Sequence, residues 1–382
     1  MNQLARLRYR RRFLAAALAV AGLTFVVTPA HADDQPLPGT VVTTSPLAED
    51  LQLNGSERGL RLTYWTQDST GREAQSSGAV FTPRGAAPPH GWPVVSWLHG
   101  TVGLGDECAP STAGPTDRDR DFTYLNAWLN HGYAVVATDY IGLGTPGVHA
   151  FLDGAAEAHA AIDIVRAART IDSSLSTSWL AVGQSQGGGG ALWTATMATE
   201  YAPELDYRGV IATAPAAQVV SLLAAAGPSV PNLGMPNLTV YTAYAMRGLK
   251  QARPDWDLDS YLTPLGRRLV DDAETLCFRA MAERVEGIGV GELLTRSLSE
   301  GDFAESAHEV FDAPMAPYDR PVFIGQGAID KTVPLPLTLA FIAQLRANGT
   351  FPALRVYPGS DHGGTVVAAT IDAIQFAEAV TR

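Results

Sequence analysis

A serine set between glycines, Gly183-Gln184-Ser185-Gln186-Gly187, is the residue pattern in this chain most able to do chemistry. It lies between Trp179-Leu180-Ala181-Val182, which reads as a short buried strand, and a stretch carrying Leu192, Trp193 and Met197 at helical spacing. A strand that passes straight into a helix must turn sharply, and glycines two residues either side let the backbones close up without a clashing Cβ. The serine hydroxyl then stands out of the turn above a helix N-terminus, where developing negative charge is favoured. Taken alone, the pentapeptide also fits an ordinary Gly-rich turn, so its partners decide the reading.

A hydroxyl is a weak nucleophile near neutral pH and needs a general base, itself held by a third group. His362 is the candidate base, in the loop Pro358-Gly359-Ser360-Asp361-His362-Gly363-Gly364 that follows the strand Leu354-Arg355-Val356-Tyr357. Asp330, just beyond the strand Pro321-Val322-Phe323-Ile324-Gly325, is the candidate acid that would fix the imidazole tautomer and stabilise the imidazolium. Asp361 is the rival, but it adjoins His362 in the chain, and neighbouring side chains on an extended loop diverge. A tetrahedral intermediate also needs hydrogen-bond donors for its oxyanion. These are assigned to the N–H of Gln186, after the nucleophile, and the N–H of Thr101, at the end of the apolar run Pro93-Val94-Val95-Ser96-Trp97-Leu98-His99-Gly100. The His99 ring reads as a packed histidine, and His90, His131, His149, His159 and His308 as structural or surface residues. The chain has no His-Glu-x-x-His, no Cys-x-x-Cys and no Walker-type glycine loop, so neither a metal nor a cofactor is expected.

Three such residues, each in the loop after a different strand, converge where an open, mostly parallel α/β sheet gathers its functional groups at the strand carboxyl ends. Alternation over residues 60–65 and 79–83 reads as an antiparallel hairpin, residues 133–139 as a buried strand, and residues 154–170, 333–347 and 365–380 as helices. Gly209-Val210-Ile211-Ala212-Thr213-Ala214 reads as the sixth strand. About a hundred residues follow before the strand at Val322, far more than a crossover needs. Residues 216–315, with helical patterns at 219–226, 239–250, 260–284 and 291–299, read as an inserted helical cap that would shape an apolar pocket. A helical subdomain that only adds stability is the alternative. The remainder, residues 33–382 with the cap inside it, reads as one large domain.

Arg6, Arg8, Arg10, Arg11 and Arg12 precede an apolar run over residues 13–27, and Ala30-His31-Ala32 offers a small-residue cleavage site, so residues 1–32 read as an export signal. Arg10-Arg11-Arg12-Phe13-Leu14 fits a twin-arginine signal as well as a strongly basic Sec signal. Losing five arginines and no acid takes the formal charge from −12 to about −17, which excludes nucleic acid and anionic membranes as favoured partners. In an exported protein the two cysteines, Cys108 and Cys277, favour a disulfide over the alternative of two buried free thiols.

The segments Trp97-Leu98-His99-Gly100-Thr101, Cys108-Ala109-Pro110-Ser111, Ala137-Thr138-Asp139-Tyr140-Ile141-Gly142-Leu143-Gly144 and Gly183-Gln184-Ser185-Gln186-Gly187-Gly188, with Asp330 and His362, resemble the secretory lipases, the lipase-A-like branch of the α/β-hydrolases. The resemblance runs over almost all of the mature length. It implies an α/β-hydrolase fold, Ser185, Asp330 and His362 as a triad, a cap between the sixth and seventh strands, a Cys108–Cys277 disulfide reaching the cap, and hydrolysis of carboxylic esters including acylglycerols. Two departures stand out: Gln184, where many relatives carry histidine, and the glycine run through Gly190, where bulkier side chains are usual. The expectation is thus a secreted, cofactor-free serine carboxylester hydrolase acting on small-molecule or lipid esters, with transient contact to a lipid interface. An acyltransferase or peptidase could use the same triad. A non-catalytic binding protein is disfavoured because no triad member has been lost.

Overall fold

The computed structural model describes residues 36–381, and the expected export signal over residues 1–32 lies outside them. Within that range the apolar runs become β1 (Val41–Pro46), β2 (Ser56–Gln67), β3 (Glu73–Pro83), β4 (Trp92–Leu98), β5 (Ala134–Ile141), β6 (Leu175–Gln184), β7 (Asp206–Thr213), β8 (Val322–Gly327) and β9 (Ala353–Tyr357). They form one sheet in the order β1-β2-β3-β5-β4-β6-β7-β8-β9. The hairpin β2–β3 and its neighbours β1 and β5 pair antiparallel, and from β5 across to β9 all pairs are parallel. The strand at Val41–Pro46 was not foreseen, so the strand read as the sixth is the seventh of nine.

Parallel strands are covered on both faces, and the two cores show it residue by residue. Val94, Val136, Ala181, Val210 and Ile324 face one core with Ile162 and Val165 of α3 (Gly154–Ile171), Leu192 of α4 (Gln186–Tyr201) and Phe341 of α10 (Leu335–Ala347). Their chain neighbours Val95, Val135, Leu180, Ile211 and Phe323 face the opposite core with Trp128 of α2 (Arg118–Asn130) and Ile374 of α11 (Gly364–Thr381). The period of two along a strand therefore sorts one sequence into two buried layers. A short helix α1 (Pro110–Ala113) precedes α2, and its Ser111 accounts for two of the resemblance motifs at once. The Ser111 N–H donates to Asp139 Oδ1 at 2.8 Å, and its hydroxyl donates to Asp139 Oδ2.

Between β7 and β8 stand five helices: α5 (Val219–Leu223), α6 (Pro236–Ala252), α7 (Pro264–Ala273), α8 (Phe278–Arg284) and α9 (Phe303–Phe311). They enclose their own apolar core, which includes Val240, Leu249, Tyr261, Leu269, Met281 and Phe303. Residues 260–284, read as one helix, are two. Pro264 occupies the first turn of α7, where its missing N–H is harmless, and Thr263 caps that end by accepting from the Gly266 N–H at 3.0 Å. α8 starts afresh after Cys277, which is held extended because its backbone bridges Gly103 and its sulfur is bonded to Cys108. Residues 291–299 hold only a short 3-10 turn, Val290–Leu293, and α9 was not foreseen as a separate helix. The disulfide itself joins Cys108 to Cys277 with the Cα atoms 5.3 Å apart, and no helix of the described residues is long and apolar enough to cross a membrane.

Candidate active site

Ser185 occupies the turn between β6 and α4 with φ 58° and ψ −120°, a conformation a non-glycine residue holds only when its surroundings enforce it. The glycines supply that enforcement. A Cβ on Gly183 would stand 2.0 Å from the Gly187 carbonyl oxygen, and one on Gly187 would stand 2.0 Å from that of Leu98. The Ser185 N–H donates to Thr213 O at 3.0 Å and its carbonyl accepts from the Ala216 N–H at 3.0 Å, which ties the turn to the end of β7.

His362 arrives from the loop after β9. Its Nε2 is 2.8 Å from Ser185 Oγ and its Nδ1 is 2.8 Å from Asp330 Oδ2, so the serine, histidine and aspartate read from the sequence are joined in one hydrogen-bonded chain. The Asp330 carboxylate is buried and fully engaged: Oδ1 accepts from the Thr332 and Val333 N–H groups at 2.8 and 2.9 Å, and Oδ2 also accepts from Gln326 Nε2 at 3.2 Å. The rival Asp361 spends its side chain on the Gly364 N–H at the start of α11. With Nδ1–H donating to Asp330, His362 Nε2 carries the lone pair that can accept the serine proton. Gln184, one of the two departures from the family pattern, sets its amide Nε2 3.2 Å from that same nitrogen.

Ser185, Gln186 and Thr101 line one cavity of about 450 Å³, whose walls are largely apolar side chains of the inserted helices and their approaches, among them Leu223, Leu238 and Tyr241. Gln186 opens α4, so its N–H has no carbonyl four residues back and faces no helical acceptor. Thr101 sits beside a point where the inserted helices are tied to the end of β4, since Val102 O accepts from the Phe278 N–H at 2.8 Å. At the rim Leu233 and Met235 are 57% and 43% exposed.

Sequence reasoning missed what lies behind the serine. The Gln186 side chain donates to Glu157 Oε1 at 2.7 Å and reaches His149 Nε2 at 2.9 Å, all three residues being buried. Burial pushes the Glu157 carboxyl up to about 8, and burial together with the nearby His99 ring pushes the His149 imidazole down to about 3. His149 is therefore neutral, with Nδ1 3.1 Å from Ile141 O and Nε2 free to accept from Gln186. The signal in the sequence was an acid among the alanines that open α3, together with an unusual glycine that the structure sets against it: a Cβ on Gly190 would stand 2.5 Å from Glu157 Oε2. His99 is the packed histidine expected, with Nδ1 2.7 Å from Gly100 O and Nε2 3.3 Å from Asp139 O.

The secretory lipase family model matches residues 110–349, more than half of the chain, and takes in both the nucleophile turn and Asp330. The chain belongs to the secretory lipase family. Lipase A of Moesziomyces aphidis is 27% identical over 182 residues, a stretch that makes up 45% of this chain and 38% of that protein. Among solved structures, Candida antarctica lipase A superposes with a TM-score of 0.73 at 20% identity, over 91% of this secretory lipase and 83% of that chain. The rice cell wall degrading esterase LipA from Xanthomonas oryzae superposes with a TM-score of 0.69 at 19% identity, over 90% and 98% of the two chains. At such identities the two structural likenesses speak for the α/β-hydrolase fold.

Proposed function

We propose that this secretory lipase is an exported serine carboxylester hydrolase that cleaves lipid or other carboxylic esters through an acyl-enzyme, with Ser185 as nucleophile, His362 as general base and acid, and Asp330 as its orienting carboxylate. The observation that carries the reading is the Ser185–His362–Asp330 chain of 2.8 Å hydrogen bonds opening into an apolar cavity. In the first half-reaction Ser185 Oγ attacks the ester carbonyl carbon as its proton passes to His362 Nε2. The oxygen that gains negative charge turns toward the Thr101 and Gln186 N–H groups, where a single lost donor costs about 100- to 1,000-fold in rate. Collapse of the tetrahedral species expels the alcohol, which takes the proton from His362. Water then repeats the sequence on the acyl-enzyme and returns the serine.

The inserted segment, residues 216–315, acts in this reading as the cap that holds the acyl group. Its walls are mostly apolar around Ser185, with Leu222, Leu223, Leu238 and Tyr241 among them, which suits an acyl chain better than a peptide. Leu233 and Met235 give the mouth an exposed apolar edge suited to brief contact with a lipid phase. Names among the similar proteins, a lipase and a cell wall degrading esterase, support the same class of bond. The test is hydrolysis of p-nitrophenyl esters from acetate to palmitate by the mature protein and by Ser185→Ala. Wild type turns over and the variant loses at least about 1,000-fold in kcat. Equal rates for both proteins across the series would overturn the assignment.

A further inference from the structure

The two N–H groups given to the oxyanion come from separate parts of the chain, and their usefulness depends on a spacing good to about half an ångström. Gln186 has no neighbouring backbone partner that would fix its N–H, and the residue before it is held in a strained conformation. Something must set this geometry from the side. Both amide hydrogens of the Gln186 side chain are taken, one by Glu157 Oε1 at 2.7 Å and one by His149 Nε2 at 2.9 Å. The His149 ring lies parallel to that of Tyr140, with centroids 5.5 Å apart and 9° between planes. Tyr140 is itself held at φ 73°, and its hydroxyl donates to His99 O at 2.9 Å, one peptide away from the segment that carries the Thr101 N–H. The His99 ring in turn packs 4.3 Å from the Tyr140 ring and contacts Gly100 O. Every side chain in this series is at most 2% exposed.

We propose that Glu157, Gln186, His149, Tyr140 and His99 form one buried truss that joins the two halves of the oxyanion hole and fixes the spacing of the Thr101 and Gln186 N–H groups, with the Gln186 and Tyr140 side chains as positioning residues. This rests on the ester-hydrolase reading above. The truss is joined by hydrogen bonds except at the His149–Tyr140 ring stack, and among side chains this buried, cutting one member leaves its partner unpaired. The positive φ of Tyr140 is the strain expected when a tertiary contact, here the hydroxyl on His99 O, dictates the backbone. Gly190 belongs to the same design, because any larger residue would displace the Glu157 carboxyl that anchors the far end.

The experiment compares wild type, Gln186→Met, Tyr140→Phe and the double variant on p-nitrophenyl butyrate, with inhibition by butylboronic acid as a mimic of the tetrahedral oxyanion and by 1-butanol as a ground-state ligand. Each single variant lowers kcat about tenfold with KM within twofold, in keeping with a sub-ångström misplacement of reacting groups. Boronate affinity falls by the same factor as kcat/KM, and butanol affinity does not move. The double variant loses about ten- to thirtyfold rather than a hundredfold, since a truss cut twice is still one cut truss. A kcat within twofold of wild type in both single variants overturns the proposal, as does a full hundredfold additive loss or a boronate affinity that fails to track kcat/KM. Tyr140→Phe deletes a single oxygen, so it carries the test if Gln186→Met does not fold. An inert wild type would instead refute the ester-hydrolase reading.

Discussion

Removing the Cys108–Cys277 bond tests how the cap is held to the sheet. The bond closes a loop with a sequence separation of 169 residues. On the chain-entropy model a loop of that length costs the unfolded chain about 5 kcal/mol, and measured losses on removing native disulfides run at about 2–5 kcal/mol. The native side of the balance changes little, because the Gly103–Cys277 bridge and the Phe278 N–H on Val102 O at 2.8 Å join the same two segments without the sulfurs. Alanine is the right replacement at both positions, since a serine at the buried Cys108 would leave a hydroxyl to be satisfied in an apolar site. Equilibrium urea unfolding of Cys108→Ala/Cys277→Ala against the parent reads the difference. A loss of about 2–5 kcal/mol is expected, with a steeper dependence on urea because the unlinked chain exposes more surface. A loss under about 1 kcal/mol with an unchanged slope would refute the reasoning, for it would mean that the cap and sheet unfold independently and no long loop was being restrained.

Two further outcomes follow from the site. Glu157 is pushed up to about 8 from an ordinary 4.5, so between those pH values the folded protein holds a proton that the unfolded chain has lost. Its contribution to stability is therefore complete below about pH 4.5 and drains away through pH 8, at most about 1.4 kcal/mol per pH unit for one proton. Glu157→Gln should gain on the parent steadily from pH 5 to pH 8.5 in urea midpoints, and parallel profiles would show that Glu157 titrates normally. Leu238→Trp, on the α6 wall of the cavity proposed to hold the acyl group, should cut kcat/KM for palmitate at least about tenfold relative to butyrate. An unchanged ratio in the ester series would place the acyl chain elsewhere.

The parts of the site legible in the sequence are those fixed by local backbone chemistry. Gly183 and Gly187 announce a close approach, since an added Cβ on either would stand 2.0 Å from a carbonyl oxygen, and Asp330 and His362 follow strands whose apolar runs are unambiguous. Asp330 is preferred over Asp361 because neighbouring side chains on an extended loop diverge, and Asp361 does point away, to the Gly364 N–H at the start of α11. What escaped was set by tertiary contact. β1 pairs with β2 at the sheet edge and is exposed over most of its length, so Val41–Pro46 carries no burial period to read. The break between α7 and α8 is imposed by a bond to a residue 169 positions away. Likewise Glu157 and His149 are 29 and 37 positions from Gln186, and only the fold brings their polar atoms into one buried cluster.

The attachment of the cap also constrains how the cavity could widen. Cys277 and Phe278 are bonded to the very segment that carries Thr101, through a disulfide, a β-bridge and a backbone hydrogen bond. A swing of all the inserted helices would drag Val102 and Gly103 with it and shift the Thr101 N–H, so a rigid-body opening works against the oxyanion geometry proposed above. Residues 231–237 differ: they line or adjoin the cavity mouth, are exposed throughout and run into the first turn of α6, where Met235 O accepts from the Leu238 N–H at 3.0 Å and Asn232 bonds Gly287 O and the Gly234 N–H. Widening confined to that stretch would leave the α8 end clamped and the proposed oxyanion donors in place. On the proposed function, a fixed inner half and a yielding rim would reconcile entry of a bulky ester with an oxyanion site that must hold its spacing.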